Sequence, residues 1–117
     1  LTGNPEIPLY PNSMNVSYLP RYLIRYGKTN FEKAVHQASG FVAERFGIDR
    51  RGTIREGNFA DLVVLDRNSL RSFDDTPDPL RDPQGIRFVI VNGRIAKDGD
   101  RLTDAGAGRV LRKNASR

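Results

Sequence analysis

The sequence predicts an α+β fold, with a helical segment first and a few antiparallel strands after it, on three observations. The opening twenty residues are broken by Pro5, Pro8, Pro11 and Pro20. Apolar side chains then recur at helical spacing as far as Ile48, and beyond it they come in short strand-like runs. Late in the chain, Asn92-Gly93 separates two such runs, and both positions of a tight hairpin turn favour these residues because both need φ above zero. Helices followed by strands, without alternation, point to α+β or to the junction of two bodies. The chain divides into an extended and helical segment (1–48), a strand-rich portion (49–112) and a disordered tail (113–117).

Each element has its own local reason. In residues 1–20 proline fixes φ and biases its predecessor towards extended backbone. Ile7, Leu9, Tyr10, Met14, Val16, Tyr18 and Leu19 are too apolar for a free linker, so this segment is expected to lie over another surface. Pro20 suits the first turn of a helix through Tyr26, stopped by Gly27. Thr29 with Glu32 makes a capping-box pattern, with Asn30 the alternative cap, for a helix carrying Phe31, Ala34, Val35 and Ala38 on one stripe. Ser39-Gly40 weakens that helix, and a second short one over 41–46 should end on a left-handed Gly47. Ala60–Leu65 is a nearly continuous apolar run, which suits a strand buried on both faces or lying under a neighbouring layer rather than one at an open edge. Residues 72–85, with three prolines and Asp74, Asp75, Asp78 and Asp82, form a surface loop. Strands over 86–91 and 94–97 flank the Asn-Gly step, Asp98-Gly99 turns again, and Gly106 and Gly108 precede a last short strand. With three or four strands in all, little remains in the chain to cover Ala60–Leu65.

Composition narrows the function classes. At 117 residues there is room for one domain with a core, and the 38% hydrophobic content is low for a self-sufficient globule. The first residues have neither an initiator Met nor a basic-then-apolar leader pattern, so a larger parent chain is expected. No apolar run is long enough to span a membrane as a helix. The absence of cysteine excludes disulfides and thiolate chemistry, and a cytoplasmic setting is expected. The net charge of +5 resides at the two ends: residues 31–100 carry eleven basic against twelve acidic side chains. A phosphate groove needs basic groups gathered on one ordered face, so this distribution argues against a nucleic-acid partner.

Hydrolytic chemistry has little to work with here. A metal must be held by several His, Asp, Glu or Cys donors at once, and His36 is the one histidine. It stands off the apolar stripe of its helix and reads as solvent-facing, with no second histidine at i+4. The loop aspartates lack the alternating spacing of a calcium loop and read as turn formers. Ser13, Ser17 and Ser39 lack a nucleophile-elbow setting, and the Gly106/Gly108 segment lacks the Lys-Ser/Thr ending of a phosphate loop. No catalytic residue and no metal ligand is assigned.

Several stretches, taken in order, resemble the C-terminal end of D-aminoacylase-type enzymes of the amidohydrolase superfamily. They are the Leu19-Pro-Arg…Arg-Tyr26 step, the helical Phe31–Ile48 with Ser39-Gly40 and Arg45-Phe46-Gly47, Gly57-Asn-Phe-Ala-Asp-Leu-Val-Val-Leu-Asp66, Phe88-Val-Ile-Val-Asn-Gly-Arg-Ile95 and Gly108-Arg-Val-Leu-Arg112. The resemblance implies a parent built as a metal-bearing TIM-like barrel with a small β-sandwich, a composite domain made from both chain ends. Zinc or another divalent metal would activate water against a non-peptide amide C–N bond, with the ligands encoded before Leu1. This chain would then be a structural portion without the catalytic site, partnered by the barrel, with self-association when isolated. Where the family usually has a His-Pro-Arg step holding the substrate carboxylate, this sequence has Met14, with Tyr10-Pro-Asn12 nearby. Tyr10, Asn12 and Met14 are therefore the rim candidates for substrate binding. None supplies the charged fork that grips a carboxylate, a departure from the N-acyl-D-amino acid pattern within the N-acyl-amino-acid deacylase reading, and packing of residues 10–14 on the barrel rim is the alternative account. The alternative is a free-standing β module that binds a protein or nucleic-acid partner.

Overall fold

The computed structural model describes residues 19–73 and 81–112. Tyr10, Asn12 and Met14, the first three prolines, Asp74, Asp75 and Asp78, and the tail 113–117 lie outside those residues. Three helical stretches come first: α1 over 19–26, α2 at Phe31–Ala38 and α3 at Gly40–Phe46. Four strands follow: β1 at Leu62–Leu65, β2 at Ile86–Val91, β3 at Arg94–Asp98 and β4 at Arg101–Leu102. Helices followed by an antiparallel sheet make the described chain α+β, as the change of period predicts.

The helix boundaries follow from their caps. Asn30, with φ −148°, holds the N-cap of α2, and its side chain accepts the Lys33 N–H at 2.9 Å. Asn30 and not Thr29 is the cap, because the first helical residue is Phe31. Between α2 and α3 the backbone breaks at Ser39, whose hydroxyl donates to the Val35 carbonyl at 2.7 Å. Gly47 ends α3 in the left-handed region (φ 64°), and the Ile48 N–H reaches back to the Ala43 carbonyl at 2.8 Å. That is the closed helix end expected of a glycine there.

The sheet is a meander in the order β1-β2-β3-β4, every pair antiparallel. Val91 pairs with Arg94 across a two-residue turn in which Asn92 has φ 47° and Gly93 φ 79°, the geometry the Asn-Gly step demands. Arg71 and Gln84 exchange two backbone hydrogen bonds (3.0 and 3.1 Å), which close the neck of the loop before β2. Gly85 follows at φ 91°; a Cβ there would lie 2.6 Å from the Leu70 Cα, so neither the backbone angle nor the space admits another residue.

Within the described residues the apolar run at 60–65 lies at an open edge: β1 is an edge strand, and Val63 and Val64, which point to opposite faces, are each 43% exposed, so the cover expected for it is not supplied by them. A meander of four strands places its first strand on the outside, and the described chain supplies no neighbour for it. No strand forms over 108–112 either; the last strand is the short β4, and Val110 is 82% exposed.

The core is small and lies where helices meet the sheet. Leu23, Ala34 and Leu70 are buried together, with Leu19, Tyr22, Phe31, Leu65 and Ile86 packed around them. Arg67, just after β1, stacks over the Phe31 ring at 4.6 Å and donates to the Gly27 carbonyl at 3.4 Å. Strand pairing and side-chain alternation put Leu62, Val64, Phe88, Ile90 and Ile95 on one face. Among the described residues, Leu65 and Ile86 are the sheet residues that join the helical core. That five-residue apolar face contributes nothing to it.

Candidate functional site

The most tightly organised polar site lies between the loop that leads into β1 and the turn that joins β2 to β3. The loop first folds on itself. The Phe59 N–H donates to the Arg50 carbonyl at 3.0 Å, and Asn58 Nδ2 donates to the Thr53 carbonyl at 2.9 Å. Gly57, at φ 82°, lets the chain reverse, and the Arg50 guanidinium donates to its carbonyl at 3.3 Å. This closure brings the Arg50 and Arg51 guanidinium groups over the Phe59 ring at 4.4 and 4.3 Å from its centre. Arg51 then reaches inward.

Its side chain, 10% exposed, donates through Nη1 to Asp61 Oδ2 and through Nη2 to Asn92 Oδ1 at 2.9 Å. The other carboxylate oxygen of Asp61 accepts the Asn92 backbone N–H at 2.7 Å, and the Gly93 N–H donates to the Ala60 carbonyl at 3.0 Å. Asn92 Nδ2 completes the set by donating to the Ala107 carbonyl at 2.6 Å. Three segments distant in sequence are thereby tied at one point. Each group is already committed: the carboxylate accepts from a cation and an amide, and the guanidinium is engaged by oxygens at one end and stacked on a ring. Each carboxylate oxygen of Asp61 serves a partner that ties the loop to the turn. The arrangement is a clasp, and its chemistry is structural.

Asp66, where the motif ends, is also spoken for. Its carboxyl accepts from the Ser69 hydroxyl at 2.9 Å and the Asn68 N–H at 3.0 Å. These bonds, the Ser69 hydroxyl first, hold its pKa below the ordinary carboxylate value and make it a weaker base than a free carboxylate. His36 is exposed on α2, as its position off the apolar stripe predicts. Asp82 lies 3.8 Å from the Lys97 ammonium, a loop-to-sheet ion pair rather than a cation site.

Sequence reading singled out the 52–66 motif and the Asn-Gly turn but missed Arg51, Phe59 and the Asn92 side chain as their connection. One signal was available: an acidic residue just before an apolar strand, with an arginine ten places earlier, is a pair waiting for a geometry. Rim candidates Tyr10, Asn12 and Met14 fall outside the described residues.

Comparison with known proteins places these motifs. The profile of the amidohydrolase family matches residues 11–96. Among curated proteins of Alcaligenes xylosoxydans xylosoxydans, the chain is 37% identical over 82 residues to N-acyl-D-aspartate deacylase, covering 70% of this chain and 16% of that protein. It is also 37% identical over 101 residues to D-aminoacylase, covering 83% of this chain and 21% of that one. Crystal structures of D-aminoacylase superpose with a TM-score of 0.74 at 33% identity over 81% of this chain and 21% of theirs; one of them concerns that enzyme's binuclear metal centre. The chain thus spans about a fifth of the relatives it matches. Among the described residues no group of three or more His, Cys, Asp or Glu side chains could hold a metal, so they do not fit such a centre. No helix among them is long and apolar enough to cross a membrane. Family match, sequence identity and superposition agree: this chain belongs to the amidohydrolase family, as a segment of the D-aminoacylase type.

Proposed function

We propose that this chain is the bracing portion of a metal-dependent amidohydrolase that cleaves non-peptide amide bonds, and that the catalytic centre is carried by the remainder of the parent. The observation that carries this reading is the apolar strand Leu62–Leu65 at the open edge of its sheet, with Val63 and Val64 each 43% exposed on opposite faces. An apolar edge of this kind templates further pairing and is ordinarily covered. A composite β-sandwich would supply the covering layer, with residues 1–48 closing a catalytic barrel and 49–112 forming part of the sandwich. Zinc or another divalent metal would sit in the barrel, and a cytoplasmic setting accompanies this assignment.

The relatives are named for N-acyl-D-aspartate and N-acyl-D-glutamate deacylation and for D-aminoacylase activity. For this protein we infer an N-acylated amine or amino acid as the substrate class. Met14 in place of the carboxylate-gripping arginine favours substrates in which that carboxylate is dispensable.

The test compares two preparations, this chain alone and the complete reading frame that contains it. Each is assayed with zinc for release of amine from N-acyl-D-amino acids and from N-acyl amines without a carboxylate. The complete protein should hydrolyse at least one class and the chain alone neither. Turnover by the purified chain alone would refute the bracing role, and silence from both would refute the amidohydrolase activity.

A further inference from the structure

We propose that Asn92-Gly93 is a latent modification site, a succinimide-forming deamidation step that the Arg51–Asp61–Asn92 clasp holds shut. It is the sequence's sole Asn-Gly pair. Glycine after asparagine leaves the following amide nitrogen unhindered, because there is no Cβ to obstruct its approach to the asparagine side chain. In the reaction, the Gly93 nitrogen gives up its proton to a base in solution and bonds to Asn92 Cγ. The Cγ–Nδ2 bond breaks, and ammonia leaves with a proton taken from water. Water then opens the cyclic imide at either carbonyl, giving aspartate or, where the main chain is rerouted through Cγ, isoaspartate. Water and a base suffice; nothing is oxidised or reduced.

The clasp opposes this at three atoms. The nucleophile's proton is engaged, since the Gly93 N–H donates to the Ala60 carbonyl at 3.0 Å, and a hydrogen bond to the protonated form resists its loss. The leaving group is tethered by its 2.6 Å bond from Nδ2 to the Ala107 carbonyl. Oδ1 is held by the Arg51 guanidinium at 2.9 Å. A cation on that oxygen would by itself polarise Cγ and favour attack. With both ends of the amide held by partners, however, the carbon must break two bonds before it can swing over the nitrogen, and position prevails over polarisation.

The product would not fit the clasp. In aspartate, an oxygen would face the Ala107 carbonyl where an N–H now donates. In isoaspartate, the lengthened main chain would break the two-residue turn that pairs Val91 with Arg94. Isoaspartate formed in one opening event would thus break the turn, whereas aspartate would lose the bond to Ala107 and keep the backbone bonds to Asp61 and Ala60.

The experiment incubates the protein at mildly alkaline pH, folded and in urea, and maps peptides for the exchange of –NH2 for –OH and for isoaspartate at position 92. A closed clasp should slow the folded rate at least about tenfold relative to urea, because local opening costs free energy. The protection should also exceed that at the exposed Asn68-Ser69 step. An Arg51→Met variant that retains its circular dichroism should deamidate faster than the parent when folded. Equal rates at Asn92 in the folded and urea samples, protection no greater than at Asn68, or a folded Arg51→Met that is no faster would each overturn the proposal. Should Arg51→Met fail to fold, the first two comparisons decide it.

Discussion

Asp61 and Asp66 flank β1, and both accept two hydrogen bonds, yet their partners give them different energetic weight. Asp66 is served by Ser69 and Asn68, its own neighbours in sequence, and it fixes the local turn at the strand's end. Its lowered pKa means the folded chain resists protonating it more than the unfolded chain does. The resulting stability is therefore complete above the ordinary carboxylate range and is lost as pH falls through the depressed folded value. Replacing Ser69 by Ala removes the largest cause, and the Asp66 carboxyl signal in an NMR titration should move up towards its ordinary midpoint. An unmoved midpoint would assign the shift elsewhere. Asp61 instead joins segments thirty-one residues apart and faces a guanidinium that is only 10% exposed. Removing it leaves a buried cation short of its partner. Allowing for the partial exposure of Asp61, Asp61→Ala should lower the unfolding free energy by roughly 1–3 kcal/mol. In a double-mutant cycle with Arg51→Met, the two losses should fall well short of additive. Simple additivity in urea titrations would mean that the pair is not coupled.

At the scale of elements, chain ends and turns decide the structure more than propensity does. The N-cap of α2 is the clearest case: Asn30→Ala should cost about 1 kcal/mol and Thr29→Ala little, because the Asn30 side chain is the one that accepts the Lys33 N–H. Equal losses in thermal melts would restore the capping box. This one-residue ambiguity shows how far the sequence could be read. Gly47, the Ser39-Gly40 break and the Asn92-Gly93 hairpin were legible because each rests on a local backbone requirement that few residues meet. Choosing between Thr29 and Asn30 needed the first helical residue, which tertiary packing of Phe31 against the Leu23–Ala34–Leu70 core sets. The strand expected after Gly108 failed for a related reason. A strand needs a partner edge, and the Ala107 carbonyl bonds to the Asn92 side chain instead. The clasp was illegible for the same cause: Arg51, Asp61 and Asn92 meet only once the hairpin has folded against the loop, and no local period encodes that meeting.

For the whole molecule, the balance between core and surface is the governing quantity. Among the described residues Leu23, Ala34, Ala43 and Leu70 are the buried hydrophobic ones, while Phe46 is 74%, Leu102 77% and Ile54 89% exposed. Exposed apolar residues are common singly, but here exposed Val64 and Ile95 share one sheet face with half-buried Leu62, Phe88 and Ile90, and that face ends at an apolar edge strand. Covering such a face is worth about 25 cal/mol for each Å² of apolar surface removed from water. The isolated chain, lacking the proposed barrel and sandwich partner, should therefore cover the face with another copy of itself. Face-to-face pairing of two such sheets about a two-fold axis would be isologous, the arrangement that closes a dimer. In sedimentation, the isolated chain should show a mass above that of one copy, rising with concentration, and the complete reading frame should not depend on this face. Val64→Lys places a charge on the face beside the edge, a substitution that blocks such pairing. It should return the isolated chain to one copy while leaving the hairpin and the clasp intact, the latter checked by the Asn92 and Gly93 amide signals. An isolated chain that stays single at high concentration and binds no hydrophobic dye would show that the face is not waiting for a layer, and the shared-sandwich reading would fall with it.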